Sequence, residues 1–424
     1  MTTSQLKKFP NDNVTCVSPW YEIRIDANGD LRSCHSIRQS QAEPTNLSFL
    51  DWFNHGNQIR TNITNGVESE GCSACYYNEK NNLISHRMQR NIQAAIYHGE
   101  YFTESLEQSP AYKRMNGYQK IYPAFIHVTL SNLCNMKCRM CFPQYSSLLT
   151  DAYKKVNWLS KDTPTLTDWT TDTNKWNEFI ELIENNNNLM ALHFMGGEPL
   201  YHKRFYQFID WCIANNKTDF HLTFVTNGTI YKEELFDKLK QFKSVQIEIS
   251  IENLHHTNDY VRMGSNFNTV KENILKFISK DITVVLRTVP QALSIEHYDT
   301  ILDFAIQNNL GFDSNILDKP QHLKCFILPK QLKTEISAKI RSKYIHILSI
   351  DNNGNDIAMF RSLDGIKRHI ESLLIRLDET EPDNIEDLRY EFVRYNMELD
   401  KVNELKFLDV YPELYDFYAK YSTI

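Results

Sequence analysis

Short β-rich runs alternate with helix-period segments through the middle of this 424-residue chain, and that alternation restricts the fold more than any other feature. The strand candidates are Phe125–Leu130, Met190–Met195, Phe220–Val225, Val245–Ile251, Ile282–Thr288 and Phe312–Leu317. Between them Trp176–Glu184, Phe205–Ala214, Lys232–Phe242, Thr269–Ser279 and Ile295–Asn308 carry apolar residues at helical spacing; in the last, Ile301, Phe304, Ala305 and Asn308 share one face. Strands separated by helices of roughly 10–15 residues imply parallel βαβ units with right-handed crossovers. Six units are fewer than the eight of a full (β/α)8 barrel. In any parallel α/β sheet the active site lies at the carboxyl ends of the strands. That rule brings four features to one rim: Cys134–Cys141 after the first strand, Gly196–Pro199 after the second, Thr226-Asn227-Gly228 after the third, and Ser250 to Glu252 at the end of the fourth.

The flanks read differently. At roughly 150 residues per domain the length suggests two or three domains, and residues 1–100 are expected to form a unit separate from the 120–325 core. Within it WYEIRIDANGDLRSC alternates apolar and polar residues and then turns at Asn28-Gly29, a β-hairpin signal because Asn-Gly supplies positive φ. Leu83 to Tyr97 reads as a linking helix, and Pro143–Asn174, without clear periodicity and too long for an ordinary βα loop, as a lid or substrate loop. Residues 326–424 form a helical C-terminal region, in which Ile366, Ile370, Leu373, Leu374 and Leu377 make a core-facing stripe. With 42% hydrophobic and 23% charged residues the composition is that of a globular chain. The net charge of −7 offers no basic footprint for nucleic acid. No apolar run approaches the ~18 residues of a membrane span, and MTTSQLKKFPND has no hydrophobic stretch behind its lysines, so the expectation is a soluble, cytoplasmic protein with no membrane partner.

Seven of the nine cysteines fall into two groups with ligand-like spacing. Cys134, Cys138 and Cys141 form C-x3-C-x2-C, and Cys16, Cys34, Cys72 and Cys75 make a group of four. An odd count without a secretory signal speaks against a disulfide framework. Three thiolates do not complete a tetrahedral zinc site, and on a [4Fe–4S] cube they leave one iron open to a substrate or cofactor unless His127 or a distant residue fills in. Four saturate either a zinc ion or an iron–sulfur cluster, and spacing alone does not decide between them. Cys212 and Cys325 lie in apolar surroundings and read as buried small hydrophobes.

C-x3-C-x2-C in a loop after a first strand resembles the radical SAM superfamily. The resemblance implies a partial, TIM-like (β/α)6 barrel over residues 120–325, the radical SAM core. It also implies a [4Fe–4S] cluster on Cys134, Cys138 and Cys141 whose fourth iron takes the amino and carboxylate groups of S-adenosylmethionine. An electron from the cluster would cleave that cofactor to a 5′-deoxyadenosyl radical, which abstracts a substrate hydrogen. MGGEP, with Gly196, Gly197, Glu198 and Pro199, looks like the family's GGEP motif, where the backbone meets the cofactor's amino group; glycines suit such a close approach. Ser250 in ISIEN resembles the fourth-strand residue near the ribose, and Arg262 in YVRMGS an arginine that faces the cofactor's carboxylate, with a surface salt bridge as its alternative. Cys16-x12-Gly29-x4-Cys34 followed by Cys72-x2-Cys75 resembles the twitch domain, a shortened relative of SPASM that carries an auxiliary [4Fe–4S] cluster. Twitch domains usually follow the barrel, whereas these cysteines precede it, and Met140 stands where the family often has an aromatic residue beside the third cysteine.

The expectation is therefore an α/β radical SAM enzyme with two [4Fe–4S] clusters, S-adenosylmethionine, and an electron donor such as flavodoxin or ferredoxin. By resemblance its substrate is a ribosomally made peptide, to be crosslinked, epimerised or oxidised. The alternatives are a small-molecule dehydrogenase of the same superfamily, one acting on nucleic acid, or a non-catalytic iron–sulfur or zinc protein. No side chain is assigned a catalytic role, although Cys325 follows the sixth strand and is open as a hydrogen-atom donor. His127 and His193 read as satisfied core or rim histidines, Glu198 as a residue that orders its loop, and the aromatic C-terminus as a cap on the core.

Overall fold

The computed structural model describes residues 14–37, 46–55, 58–80, 85–91, 121–280, 282–315, 317, 319–350 and 363–422. An eight-stranded sheet organises them: β1 (Glu22–Ile25), β2 (Leu31–Arg32), β3 (Phe125–Val128), β4 (Ala191–Phe194), β5 (His221–Thr226), β6 (Ser244–Ser250), β7 (Thr283–Thr288) and β8 (Gly311–Ser314). The strands lie in the order β2-β1-β3-β4-β5-β6-β7-β8. Among the described residues only the β1–β2 hairpin is antiparallel. From β1 to β8 every other neighbouring pair is parallel.

Strand alternation sorts the two faces. Ile126, Leu192, Leu222, Phe224, Ile247 and Leu286 are buried in one core with the crossover helices, among them Thr173–Glu184, Lys203–Ala214 and Phe267–Ile278. These helices bury Phe179, Phe205, Phe208, Ile274 and Phe277 against the sheet. The opposite face is polar. One register row across it reads Arg24, His127, His193, Thr223 and Gln246. An inner face of this composition cannot be a packed apolar core, so it lines a polar interior.

The hairpin turns at Gly29, with φ +85°, as Asn28-Gly29 requires. It is not a detached unit, however. β1 pairs in parallel with β3, Glu22 to Ile25 against Phe125 to Val128, and Ile23, Ile25 and Leu31 join the main core. A bare edge on β3 would expose its backbone donors and acceptors, and β1 supplies both the partner and a matching apolar face. Of the linking helix Leu83–Tyr97, His86 to Asn91 is helical, and residues 83, 84 and 92–97 lie outside the described residues. The long Pro143–Asn174 segment is not one open loop: it holds a helix, Ser147–Lys155, and a turn, Trp169–Thr171. Ser146 caps that helix by accepting from Leu149 N, and the short apolar pattern of a nine-residue helix leaves little periodicity to read. The C-terminal region is helical (Lys330–Lys343, Leu363–Leu377, Ile385–Asn403), and its stripe Ile366, Ile370, Leu373, Leu374 and Leu377 is buried. Among the described residues no helix is long and apolar enough to cross a membrane.

Candidate functional site

The loop that leaves β3 carries Cys134, Cys138 and Cys141, and backbone hydrogen bonds pin it to the segment after β6. Lys137 N donates to Met263 O (2.9 Å) and Arg139 N to Val261 O (2.8 Å). Burial raises all three thiol pKa values, that of Cys141 to about 12, and each thiol's neighbours in the triplet add to the effect at Cys134 and Cys141. At Cys138 the Arg262 guanidinium opposes burial, with Nη1 3.7 Å from Sγ. Arg262 is thus no surface residue. It is buried and paired with Glu252 (Nε–Oε1 3.0 Å), whose carboxylate also accepts from Thr288 Oγ1 (3.1 Å) and Val289 N (2.8 Å). Converging thiols that need a cation to ionise, beside one fixed guanidinium, fit a cluster held by three cysteines with one iron left over.

The Gly196–Glu198 turn lies against this loop. Gly196 and Gly197 have φ of +66° and +59°. A Cβ on Gly197 would come within 2.7 Å of the Ser131 and Leu133 carbonyls, and one on Gly196 within 2.6 Å of Thr129 Cγ2. The two glycines are therefore demanded first by the chain's own packing, a duty distinct from admitting a cofactor. Glu198 N donates to Leu133 O (2.9 Å). Its buried carboxylate accepts from Leu200 N (3.0 Å), Thr226 Oγ1 (2.8 Å) and Asn227 N (2.7 Å), and burial lifts its pKa to about 7. Asn227 Nδ2 continues the chain of bonds to Asn135 Oδ1 (2.7 Å), between the cysteines. Ser250 ends β6 opposite Arg287. The rim drawn from sequence is a hydrogen-bonded structure at Cys134–Cys141, Gly196–Glu198, Thr226–Asn227 and Glu252–Arg262.

One support was not read from sequence. Arg139, inside the cysteine motif, is fully buried and donates to Tyr260 O (3.0 Å), Asn396 Oδ1 (3.0 Å) and Asp400, with its guanidinium 3.8 Å from the centre of the Tyr260 ring. Tyr395 OH donates to Arg139 O (2.6 Å), and Trp158 stacks on Tyr395 at 5.1 Å. The helix Ile385–Asn403 thereby clamps the cysteine loop. The only sequence signal is an arginine in a motif whose neighbours are apolar.

The other four cysteines also meet. Cys16, Cys34, Cys72 and Cys75 line one cavity with Arg87, Ile59 and Ile63. Burial, reinforced by neighbouring thiols, raises Cys16 to about 12 and Cys72 to about 11 and raises Cys34, and burial with the nearby Glu79 carboxylate raises Cys75. Four thiols around one cavity fit a saturated metal site. Cys325 is buried in the main core, and burial pushes its thiol up to about 12; a hydrogen-atom donor there would have to be reached through packed side chains. Cys212 is buried in the same core.

On the polar inner face the histidines do more than fill space. His127 Nε2 lies 3.2 Å from Glu22, and its Nδ1 lies 3.2 Å from Nδ1 of His193. His35, next to Cys34, stacks on His127 with ring centres 4.8 Å apart. Burial, only partly offset by Glu22, drops the His127 pKa to about 3. Glu248 pairs with Arg287 (2.7 Å), which against burial holds its pKa near 2.

Residues 128–305, from the end of β3 into the helix Tyr298–Gln307, match the radical SAM superfamily. The radical SAM cyclopropyl synthase TigE of Paramaledivibacter caminithermalis is 25% identical over 261 residues, 59% of this chain and 53% of TigE. The chain thus spans about half the length of the curated relative it matches. Among solved structures, Streptococcus suis SuiB bound to S-adenosylmethionine is 16% identical with a TM-score of 0.38, covering 76% of this chain and 69% of SuiB. Native anSMEcpe with bound AdoMet is 13% identical with a TM-score of 0.41, covering 70% of this chain and 96% of its own. With its cysteine triplet, glycine turn and matched stretch on one parallel sheet, the chain carries a radical SAM superfamily domain over residues 128–305.

Proposed function

We propose that the protein is a radical SAM enzyme that abstracts hydrogen from a polar substrate, a ribosomally made peptide in the first instance. Residues 120–325 would form its partial (β/α)6 barrel, residues 1–100 a twitch-like auxiliary domain and residues 326–424 a helical support. The observation that carries this reading is the convergence of Cys134, Cys138 and Cys141 with the Gly196–Glu198 turn and buried Arg262 at the carboxyl ends of β3, β4 and β6. Cys134, Cys138 and Cys141 would hold a [4Fe–4S] cluster and the turn, Ser250 and Arg262 would face S-adenosylmethionine. Bound together, cluster and cofactor supply a 5′-deoxyadenosyl radical once an external donor such as flavodoxin or ferredoxin delivers an electron.

The chain's own residues do the rest. Arg262 sets a positive charge against Cys138 Sγ, while Glu252 fixes its direction. Glu198 ties the glycine turn to β5 through Thr226 and Asn227. The polar inner face, with Arg24, Asp26, Glu248 and Arg287, offers both signs of charge to a substrate, which suits a peptide better than an apolar molecule. Cys16, Cys34, Cys72 and Cys75 would carry the auxiliary cluster, saturated by four thiolates and so suited to electron transfer. A cytoplasmic setting agrees with thiols kept reduced.

The test is anaerobic. Reconstituted protein with dithionite and S-adenosylmethionine is expected to release 5′-deoxyadenosine, and the Cys138→Ala variant none. Equal release from both would overturn the assignment of the cluster. A colourless protein holding zinc in place of iron would favour the non-catalytic alternative.

A further inference from the structure

A cluster of nitrogen ligands lies on the inner face of the sheet, next to the four-cysteine group at Cys34. His35, His127 and His193 each bring a ring nitrogen to one place, the three nitrogens lying within 4.8 Å of one another. Each element fixes its histidine. His127 and His193 are register partners on β3 and β4. His35 is held by its backbone: its carbonyl accepts from Arg24 Nη1 (2.9 Å) and its N–H donates to Glu22 Oε1 (3.4 Å).

His127 Nε2 faces the Glu22 carboxylate at 3.2 Å, and His193 Nε2 faces Glu248 at 3.6 Å. Arg90 and Arg287 pair with those carboxylates at 2.8 and 2.7 Å and keep them ionised acceptors. The Glu22 carboxylate draws the His127 proton to Nε2 and turns a lone pair out at Nδ1, whereas His193 Nε2 is buried with no hydrogen-bond partner among the described residues. The Nδ1 atoms of His127 and His193 face each other at 3.2 Å, a separation that either a shared proton or a cation held between them and a third ligand satisfies. His35 Nδ1 is buried beside them with no hydrogen-bond partner. Three imidazoles with ring nitrogens converging on one point, one of them backed by a hydrogen-bonded carboxylate, match the donor set of bound transition metals.

We propose that His35, His127 and His193 bind a divalent transition-metal ion, of the zinc type, on the inner face of the sheet. Three neutral nitrogen ligands leave a coordination position open, so the ion would present itself to whatever occupies the polar interior.

The experiment uses the full chain, reconstituted anaerobically with iron and sulfide so that the cysteines are filled, then equilibrated with Zn2+ and desalted. About one zinc per chain should remain on top of the full iron load. X-ray absorption at the zinc edge should show a nitrogen/oxygen shell near ~2.0–2.1 Å and no sulfur shell near ~2.3 Å. In His127→Gln and His193→Gln zinc affinity should fall at least about tenfold with iron content unchanged, the size expected for a lost ligand or its backing. Sulfur ligation of the zinc, no retained zinc because the Nδ1 atoms share a proton instead, or undiminished binding in both variants would each overturn the proposal. The absorption measurement on the unmodified protein decides the matter even if a variant misfolds.

Discussion

Gly197 sits in the left-handed region at φ +59° with two backbone carbonyls 2.7 Å from where a Cβ would stand. An L side chain pays roughly 1–2 kcal/mol for that conformation alone, and the carbonyls belong to a loop that cannot retreat without moving Cys134. Gly197→Ala is therefore expected to cost at least about 2 kcal/mol in urea denaturation. It should also lower the iron retained by the triplet. A variant of full stability and full iron content would show that the turn is not held by this contact. A different residue governs acid behaviour. Glu248 is buried, which alone would raise its pKa, but Arg287 and then His193 overcome burial and hold it near 2. An unfolded glutamate titrates near ~4.3, so below that pH the unfolded state binds the proton first. The stabilisation is thus complete above about pH 4.5 and lost between there and about pH 2, amounting to about 3 kcal/mol. Glu248→Gln should flatten that limb of the stability–pH curve while lowering stability at neutral pH.

Among the elements, the helix Ile385–Asn403 has the clearest untested role. Through Asn396, Asp400 and Tyr395 it meets Arg139, a fully buried cation placed between two cluster cysteines. Removing one member of a buried pair leaves the other uncompensated, at a cost of roughly 3–5 kcal/mol. Arg139→Met should lose stability on that scale and shed iron from the triplet, with iron on the N-terminal four cysteines unaffected. Loss of iron from both groups alike would point to general unfolding instead. This clamp also marks where sequence reasoning stopped. The strands of the sheet were legible because β-branched and aromatic runs alternate with helical periodicity, and Cys134–Cys141 and Gly196–Glu198 because their spacing carries chemistry. Arg139–Asp400 was not, because it joins residues 261 positions apart and neither side chain shows its partner in sequence. The hairpin at Asn28-Gly29 was found, but its parallel pairing with β3 was hidden, since four-residue strands say nothing about which edge they will meet. His127 and His193 read in sequence only as core or rim histidines. Their meaning lies in which ring nitrogen faces which carboxylate, and that appears only in three dimensions.

For the molecule as a whole, the sheet joins the two cysteine groups mechanically. β1 lies between Cys16 and Cys34 in the chain and pairs with β3, whose end leads into Cys134. A shared sheet keeps the separation of the two sites fixed. The sites nevertheless draw on different residues, so their contributions should separate on mutation. If each holds a [4Fe–4S] cube the full protein carries about eight irons. Cys72→Ala should then retain about four, remain brown and still produce 5′-deoxyadenosine from S-adenosylmethionine, because the triplet and its glycine turn are untouched. What it should lose is the modified substrate, if the auxiliary group removes an electron from the substrate after hydrogen abstraction. Cys138→Ala gives the complementary result, iron at the four-cysteine group but no 5′-deoxyadenosine. Iron analysis, absorbance near ~400 nm and chromatography of the nucleoside read all of this from one anaerobic preparation of each variant. A Cys72→Ala protein that kept all its iron would remove the auxiliary cluster from the scheme, and one that stopped cleaving the cofactor would show that the two halves of the sheet fail together.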